Sequence, residues 1–385
     1  LREGRNDGKK FAASALARLA HEQDETAAEI ARAGAVSPLV GLLNGDRGDA
    51  AQEGAAGALY ELAANAGNRI AITDCDGIGP LVVLLGCSNP RTREHAEGGL
   101  VRLSIENSNR VLIIKQLVGM LYESGKEQAA AALANLASDS DGNRVSIVEA
   151  GGIRPLLELL DSASSVKAKE NALTAITHLG QRSLERQDAI AEAGGIPLVV
   201  DVLVTASSNV KETSMIGLCS LAADAVSALS KNNQSNQLGA SEAGAIPPLV
   251  AMLGSPQPEM QATAAGAISA LSRDHLENQA AVARTGAIAP LCTNVRDGSP
   301  ETKERSASAL WALATDNAPN KATIAKLGGI EPLVSLLVGG GATQKTQGCA
   351  SGALSALSAK HSENRVAIAK RLVGLLGSRV AERAV

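Results

Sequence analysis

The stretch Asn320–Leu337 reads N-K-A-T-I-A-K-L-G-G-I-E-P-L-V-S-L-L, and a version of it returns along nearly the whole chain. The first glycine of its L-G-G-I or A-G-G-I turn recurs with steps of 43, 74, 43, 50, 42 and 42 residues, at Gly34, Gly77, Gly151, Gly194, Gly244, Gly286 and Gly328. A period near 42 residues is typical of repeat proteins, in which each unit packs only on its neighbours.

Each unit predicts three helices. A short apolar helix ends at Gly328, because glycine adopts the positive φ of such a turn without a steric penalty. Pro332 stands where a second helix can begin, and Leu333–Leu337 supplies the apolar face of that helix. The alanine-rich stretch Gln344–Leu357 predicts a third, longer helix.

The combined pattern, A-G-G-I-x-P-L-V-x-L-L followed by A-A-x-A-L-x-N-L-A, resembles the armadillo repeat over essentially the whole chain. The resemblance implies an all-α, right-handed superhelical solenoid of about nine units, some of them partial. Because a solenoid grows by stacking, we expect residues 1–385 to form a single domain.

Some units depart from the regular pattern. The chain opens in a third helix at Gly8–Ala20, and the stretches from Asn109 and Asn364 lack the glycine turn, which predicts fusion of their first two helices. The unit from Gln187 is longer because of extra sequence around Asp224–Ser235, in which Ser230–Ser235 is the most loop-like stretch of the chain.

Connections and ends give two more expectations. The asparagine that opens a unit, such as Asn68, is expected in the loop before the first helix. The chain closes at Ser378–Val385, where a third helix would begin, and neither end has the polar outer face of an end repeat. These features predict an interior part of a longer solenoid.

Composition and charge exclude several functions. The net charge of −4 and the pI near 5.9 argue against a general polyanion binder, and four aromatic residues leave no stacking platform for nucleic acid. Five scattered cysteines without a C-x-x-C pair favour neither disulfides nor a metal site and indicate a reducing compartment. We expect no cofactor, no membrane span and a cytoplasmic location, with the axoneme and the nucleus left open.

The resemblance implies a concave groove lined by the third helices, with the N of A-L-x-N-L-A pointing into it. These groove positions are Arg18, Glu61, Arg102, Asn135, His178, Ser220, Ala270, Ala312 and Ala356. The residue four places earlier lies one turn back on the same face, at Ser14, Gly57, Gly98, Ala131, Thr174, Ile216, Gly266, Ser308 and Gly352.

The predicted partner-binding residues concentrate in the first half of this groove. They are Arg18, Tyr60, Glu61, Arg102, Asn135, His178 and Trp311. A polar partner is expected to prefer the first half, because alanines fill the groove positions of the second. Tyr60 and Trp311 precede their groove positions, where partial core packing competes with a binding hot spot.

Six glutamates stand eight residues before a groove position. They are Glu53, Glu94, Glu127, Glu170, Glu212 and Glu304. One reading is that a glutamate early in a helix complements the helix dipole. The other is an acidic rail along the groove that binds a basic partner segment.

The leading function is a non-enzymatic scaffold that holds an extended or helical segment of another protein in the groove. Two alternatives stay open: a structural subunit of a large assembly such as an axoneme, and the substrate-recruiting region of a larger ubiquitin ligase. A nuclear-import adaptor of the importin-alpha type is the least favoured. That subfamily repeats Trp four residues before Asn, whereas this chain has Asn once, at Asn135, and never that Trp.

Overall fold

A computed structural model describes residues 6–382, apart from residues 22, 45–49, 123–124, 162, 210–211 and 339–341. The chain divides into two compact units, residues 1–159 (unit 1) and 160–385 (unit 2). The described residues form α-helices joined by short turns and contain no strand, which confirms the expected all-α fold class. The single domain over residues 1–385 stays a prediction.

Unit 1 contains eleven of the described helices. They are α1 (Asn6–Ala20), α2 (Asp24–Arg32), α3 (Val36–Leu43), α4 (Ala50–Leu62), α5 (Ala66–Asp74), α6 (Ile78–Leu84), α7 (Pro90–Leu103), α8 (Asn107–Met120), α9 (Lys126–Asp139), α10 (Asp141–Glu149) and α11 (Ile153–Glu158). Its third helices are α1, α4, α7 and α9.

Unit 2 contains fourteen of the described helices, and its third helices are α12, α15, α18, α21 and α24. They are α12 (Val166–Gly180), α13 (Leu184–Glu192), α14 (Gly195–Ser208), α15 (Thr213–Ser230), α16 (Gln234–Glu242), α17 (Ile246–Leu253), α18 (Pro258–Ser272), α19 (Leu276–Arg284), α20 (Ile288–Asp297), α21 (Pro300–Ala314), α22 (Ala318–Lys326), α23 (Ile330–Val338), α24 (Gln344–Ser358) and α25 (Ser362–Glu382).

The turn between the first two helices of a unit uses a left-handed residue, as the glycine pattern predicts. Gly34, Gly151, Gly194, Gly244, Gly286 and Gly328 all have φ between 77° and 92°. The assignment of Gly77 to this role was wrong: Asp76 has the positive φ of 57°, and Gly77 caps α6 with a φ of −71°. Gly77 is small for another reason, since a Cβ there would lie 2.7 Å from Ile72 Cγ2.

The two units without a glycine turn have fused helices, as predicted. α8 runs unbroken from Asn107 to Met120 where other units place two helices. α25 likewise runs from Ser362 to Glu382. The expected break before a third helix near Ser378 was wrong, because α25 continues through that residue; residues 383–385 lie outside the described part.

The long unit holds its extra residues in helices, and the predicted loop at Ser230–Ser235 is shorter than expected. α14 has 14 residues where the equivalent α17 has 8, and α15 has 18 residues and ends at Ser230. α16 begins soon after, at Gln234. The polar run Lys231–Asn233 is therefore the ordinary short link between a third helix and the next first helix.

The asparagines that open the units are buried in the first helices, not in loops as expected. Asn68 is 4% exposed in α5, and its Nδ2 donates to the Ala27 carbonyl, 3.0 Å away. Asn278 Nδ2 donates to the carbonyls of Gln237 (2.9 Å) and Leu271 (3.0 Å). This asparagine ladder ties each first helix to carbonyls of the preceding elements, which would otherwise be buried without partners.

The core is aliphatic and close-packed. In α18, the side chains of Ala264, Ala265 and Ala267 are fully buried, which lets neighbouring helices approach closely. By length and composition alone, one described helix, α15, could cross a membrane, and the bent pair α13 and α14 would be a second. α15 packs on α12, α14 and α18, which are the surroundings of a core helix.

The five cysteines are free thiols spread through both units. Burial raises the pKa of Cys219 and of Cys292 to about 11. A thiol with so high a pKa is a poor nucleophile near neutral pH, so both cysteines act as small apolar core residues.

Candidate functional site on the third-helix faces

Consecutive third helices pack against each other within each unit, except α7 and α9 of unit 1, where α9 packs on α8 and α10. In unit 1, α4 lies between α1 and α7; in unit 2, α12, α15, α18, α21 and α24 follow one another. Equivalent positions of neighbouring repeats therefore share a surface, which we name the third-helix face of unit 1 and of unit 2. The candidate site is considered on each face separately.

One contact recurs along both faces. The residue before a groove position touches the residue four places before the next groove position, as in Tyr60 against Gly98 and Trp311 against Gly352. Ser269 Oγ and Ser308 Oγ make the same contact as a hydrogen bond of 2.9 Å. Glycine at the second position therefore leaves room for an aromatic ring to lie flat on the next helix.

Tyr60 is the centre of a side-chain cluster on the unit 1 face. A Cβ at Gly98 would lie 2.8 Å from the tyrosine ring, so only glycine fits beneath it. The imidazole of His95 stacks on this ring, with centroids 6.4 Å apart and planes 18° apart, and is itself accommodated by Gly57. Tyr60 is half-buried and acts as a packed part of the face.

Arg102 completes the cluster. Its Nη1 donates to the Tyr60 carbonyl at 2.6 Å and to Glu61 Oε2 at 3.2 Å, and its guanidinium lies 3.6 Å from the centre of the tyrosine ring. Glu61 Oε1 also contacts His21 Nδ1 at 2.9 Å. Two predicted site residues, Glu61 and Arg102, thus balance each other's charge. We call His21, Tyr60, Glu61, His95 and Arg102 the Tyr60 cluster.

The other predicted residues of this face lie apart from those contacts. Arg18 is exposed in the last turn of α1. Asn135 is exposed on α9, which packs on α8 and α10. Both are accessible to a partner.

Several glutamates of the acidic rail have structural partners, whereas Glu94 faces solvent. Glu53 accepts a hydrogen bond from Asn89, the residue that caps α7, and Glu304 pairs with Lys345 at 2.6 Å in the first turn of α24. Glu170 pairs with Lys167 on its own helix at 3.2 Å. Glu94 is exposed and Glu127 is half-buried. Glu53 and Glu304 therefore stabilise the start of the next third helix. This role is similar to the one in which a glutamate complements a helix dipole.

The groove register predicted for α15 was wrong by two turns. Gln187 Nε2 donates to the Ala228 carbonyl just as Gln237 Nε2 donates to that of Ala270, both at 2.8 Å. Ala228, not the buried Ser220, is therefore the groove position. Glu212 accordingly lies at the N-terminus of α15 and outside the rail.

The corrected register places Asp224, which the sequence analysis missed, four residues before the groove position. A usable signal existed, because A-V-S-A-L-S at 225–230 repeats A-I-S-A-L-S at 267–272. The Asp224 carboxylate binds Arg305 Nη1 at 3.1 Å, although Arg305 belongs to α21 and the two residues are 81 positions apart. Arg305 thus reaches across the intervening helix α18.

Gly266 of α18 makes this reach feasible. A Cβ there would lie 3.0 Å from Arg305 Nη1 and 3.4 Å from its Cδ. Arg305 Nη2 also pairs with Glu301 Oε1 at 2.8 Å. Asp224, Gly266, Glu301 and Arg305 together form what we call the Arg305 bridge.

The environment of Asp224 shifts its titration. Burial raises the pKa of this carboxyl above its ordinary 3.8, the charge and hydrogen bond of Arg305 lower it, and Glu301 raises it slightly. Desolvation is the largest of these causes, although about 35% of the Asp224 side chain remains exposed on the unit 2 face.

Trp311 lies on α21, the helix that also carries Arg305, and contacts the next third helix, α24. A Cβ at Gly352 would lie 2.6 Å from the indole, so the ring rests on bare backbone. The guanidinium of Arg273 lies 5.5 Å from the centre of the indole, a looser approach than Arg102 makes to Tyr60. Trp311 is half-buried and remains reachable from solvent.

The remaining groove positions of unit 2 are a histidine and small alanines. His178 is half-buried in the last turn of α12. Ala270 and Ala312 are buried and leave a smooth surface. Among the described residues, no group of three or more His, Cys, Asp or Glu side chains could hold a metal ion.

Comparisons with known proteins agree with this geometry. The family model described as Armadillo/beta-catenin-like repeat matches residues 140–180 and 240–273. A comparison with curated protein sequences finds no match.

Solved structures align over most of the chain. The crystal structure of an engineered protein has a TM-score of 0.72 and 26% identity, covering 96% of this chain and 89% of that one. A designed armadillo repeat protein has a TM-score of 0.57 and 26% identity, covering 63% of this chain and 99% of that one. A further designed armadillo repeat protein, in complex with the peptide (KR)4, has a TM-score of 0.55 and 25% identity over 63% and 99%. Period, turn geometry and these matches agree: the chain is built of helical repeats similar to the armadillo repeat, and the family model matches two stretches of them.

Proposed function

We propose that this protein is a non-enzymatic scaffold that binds a segment of a partner protein along the third-helix face of unit 1. The observation that carries the proposal is the state of charge on that face. Arg102 is already paired with Glu61, whereas Glu94 and Glu97 of α7 are exposed. Residues 1–159 contain 16 Lys and Arg against 21 Asp and Glu, a formal charge of −5.

This charge favours a basic segment as the partner. A designed relative is described in complex with the peptide (KR)4, which supports binding of the same chemistry here. Long-range attraction between an acidic surface and a basic segment speeds association and weakens as salt is added. The partner is a protein in an extended or helical conformation.

The test is the binding of fluorescently labelled (KR)4 to the purified chain, measured by anisotropy beside a (DE)4 peptide of equal length. We expect (KR)4 to bind more tightly than (DE)4, and its affinity to fall with added salt. Glu94→Lys should weaken binding, because it reverses one exposed charge of the face. Glu277→Lys makes the same change on the first helix α19 and should have little effect.

Equal affinity of the two peptides, or equal effects of the two variants, would reject this site. Ala312→Lys adds a repelling charge to the unit 2 face and should weaken (KR)4 binding less than Glu94→Lys does. A larger effect of Ala312→Lys would move the site to unit 2.

A second candidate function is a structural subunit of a larger assembly. The observation that favours it is a set of exposed apolar side chains at equivalent positions of three first helices, Ile70, Val111 and Val145, each 40% to 59% exposed. A permanent partner covering the first helices would bury these residues. Cross-linking in cell extract decides: contacts on α5, α8 and α10 support the assembly, and contacts on α7 support the scaffold.

Three further properties belong to this proposal. We expect residues 1–385 to form a single domain, which a single cooperative transition in urea unfolding would support. We expect a reducing compartment, the cytoplasm first, in keeping with five free thiols. Imaging of the tagged natural protein checks the location.

A further inference from the structure

The Arg305 bridge brings together groups from three consecutive third helices of unit 2. α15 contributes Asp224, α18 contributes the bare backbone at Gly266, and α21 contributes both Arg305 and Glu301. Arg305 is tied to a carboxylate two repeats back, across a helix that offers it no side chain at the crossing point. Arg305 therefore lies along the third-helix face of unit 2, as the side chain of a bound ligand would.

We propose that Asp224, Glu301 and the Gly266 backbone form a guanidinium-binding subsite on the unit 2 face, which Arg305 fills from within the chain. A partner's basic side chain enters this subsite only when Arg305 moves out of it. The bridge therefore keeps basic segments off unit 2 and directs them to unit 1. The proposal depends on the proposed function only in taking the incoming group from a protein segment.

The chemistry of the subsite calls for a cation. The Asp224 carboxylate is partly desolvated, with about 35% of its side chain exposed, and a cation beside it offsets the cost of that partial burial. Glu301 supplies a second carboxylate 2.8 Å from the same guanidinium. Two carboxylates around one planar group suit the several N–H donors of a guanidinium, which can bind both at once.

The occupant is also exchangeable. The side chains of Arg305 and Asp224 are 31% and 35% exposed, and ion pairs as accessible as this contribute little to stability. Small groove-position residues on either side, Ala228 and Ala270, leave room for Arg305 to swing and for another chain to approach. The face around the bridge is not closed by a large side chain from α18, whose Gly266 lies directly beneath Arg305.

The test compares (KR)4 binding to the full chain and three variants. In Arg305→Ala the built-in occupant is gone, and we expect (KR)4 to bind about three- to tenfold more tightly, since the competing occupancy is removed. Adding Asp224→Asn to Arg305→Ala should abolish the gain. Arg296→Ala removes a charge of the same sign from α20, where Arg296 pairs only with its neighbour Asp297, and should leave affinity within about twofold.

A small ligand separates this proposal from the proposed function. Arginine amide needs the subsite alone, so it should bind Arg305→Ala more tightly than the wild type or the double variant, as followed by NMR titration. If arginine amide shows this pattern while (KR)4 binds no variant, the subsite stands and the peptide scaffold fails. If (KR)4 binds the wild type and Arg305→Ala gains nothing for either ligand, the subsite is overturned. Urea unfolding followed by Trp311 fluorescence verifies that each variant is folded.

Discussion

Arg102 in unit 1 and Arg305 in unit 2 are similarly exposed, at 28% and 31%, and both reach from one third helix towards another. Arg102 is fixed by a backbone carbonyl, a carboxylate and an aromatic ring of the adjacent helix α4. Arg305 has two carboxylates, one on its own helix and one two repeats away, and only a glycine beneath it.

Two arginines that are similarly exposed therefore differ in how easily they can be displaced. Each contact of Arg102 adds to the cost of moving it, and its hydrogen bond to a carbonyl needs no second flexible side chain. Arg305 depends on exposed carboxylates, whose attraction is screened by water and salt. The unit 1 arginine is part of the framework, whereas the unit 2 arginine can be replaced. The following predictions test this comparison.

The largest effect should come from the framework that both units share. Asn68→Ala in unit 1 and Asn278→Ala in unit 2 each remove buried hydrogen bonds to carbonyls, and each should lower the free energy of unfolding by about 2 to 4 kcal/mol. Urea unfolding followed by circular dichroism measures this. The exposed Asn135→Ala is the control and should change stability by less than about 0.5 kcal/mol. Equal effects for buried and exposed asparagines would contradict the ladder.

The glycines beneath the aromatic rings should show the next effect. In Gly352→Ala the new methyl would lie 2.6 Å from Trp311, so we expect a loss of about 1 to 3 kcal/mol through overpacking. Gly348→Ala on the same helix meets open space and should instead stabilise by about 0.5 to 1 kcal/mol. Trp311 is the only tryptophan of the sequence, so its emission reports the displacement directly.

Gly98→Ala transfers this test to unit 1, where the methyl would lie 2.8 Å from Tyr60. We expect a loss of stability in this variant. The Arg102 guanidinium should also be held less firmly, because it rests on the ring that moves. Unchanged stability in both Gly98→Ala and Gly352→Ala would show that the rings are free to shift, against the packing argued above.

The turn residues should have a smaller effect, different in sign between the units. Gly328→Val places a β-branched residue at a φ of 77° and should destabilise by more than about 1 kcal/mol. Asp76→Gly in unit 1 relieves a residue already at a φ of 57° and should be neutral or slightly stabilising. Chemical denaturation of both variants checks the signs, and a stabilising Gly328→Val would refute the strain.

The repeat and its breaks could be predicted because they depend on local chemistry. The turn of a regular unit contains a glycine with positive φ, and the stretch that forms α8 lacks this glycine. Both features can be seen in the sequence of a single unit. The register of α15 was lost because L-C-S-L-A at 218–222 imitates the groove motif within a helix that was longer than expected.

Other parts of the site could not be found in this way. Asn68 looks like a loop residue until the carbonyl that receives its hydrogen bond is seen, 41 residues earlier. Arg305 and Asp224 are 81 residues apart and meet only because two repeats stack between them. Contacts of this range depend on how far a side chain reaches across a neighbouring helix, and one sequence does not show that reach.

The smallest effect concerns the titration of Asp224. Its pKa is raised in the folded chain, so the folded state keeps a proton that the unfolded chain has lost. The associated stability is fully present below the ordinary pKa of 3.8 and is lost as pH rises through the raised value. Relative to Asp224→Asn, the wild type should therefore lose stability as pH rises from about 3 towards neutrality. Removing Arg305 takes away the main influence that lowers this pKa, so in Arg305→Ala the same loss should extend to higher pH. Urea unfolding of the wild type, Asp224→Asn, Arg305→Ala and the double variant across this range measures both effects. A wild type that gains stability relative to Asp224→Asn as pH rises would mean that Arg305 outweighs desolvation, and that the bridge is held as firmly as Arg102.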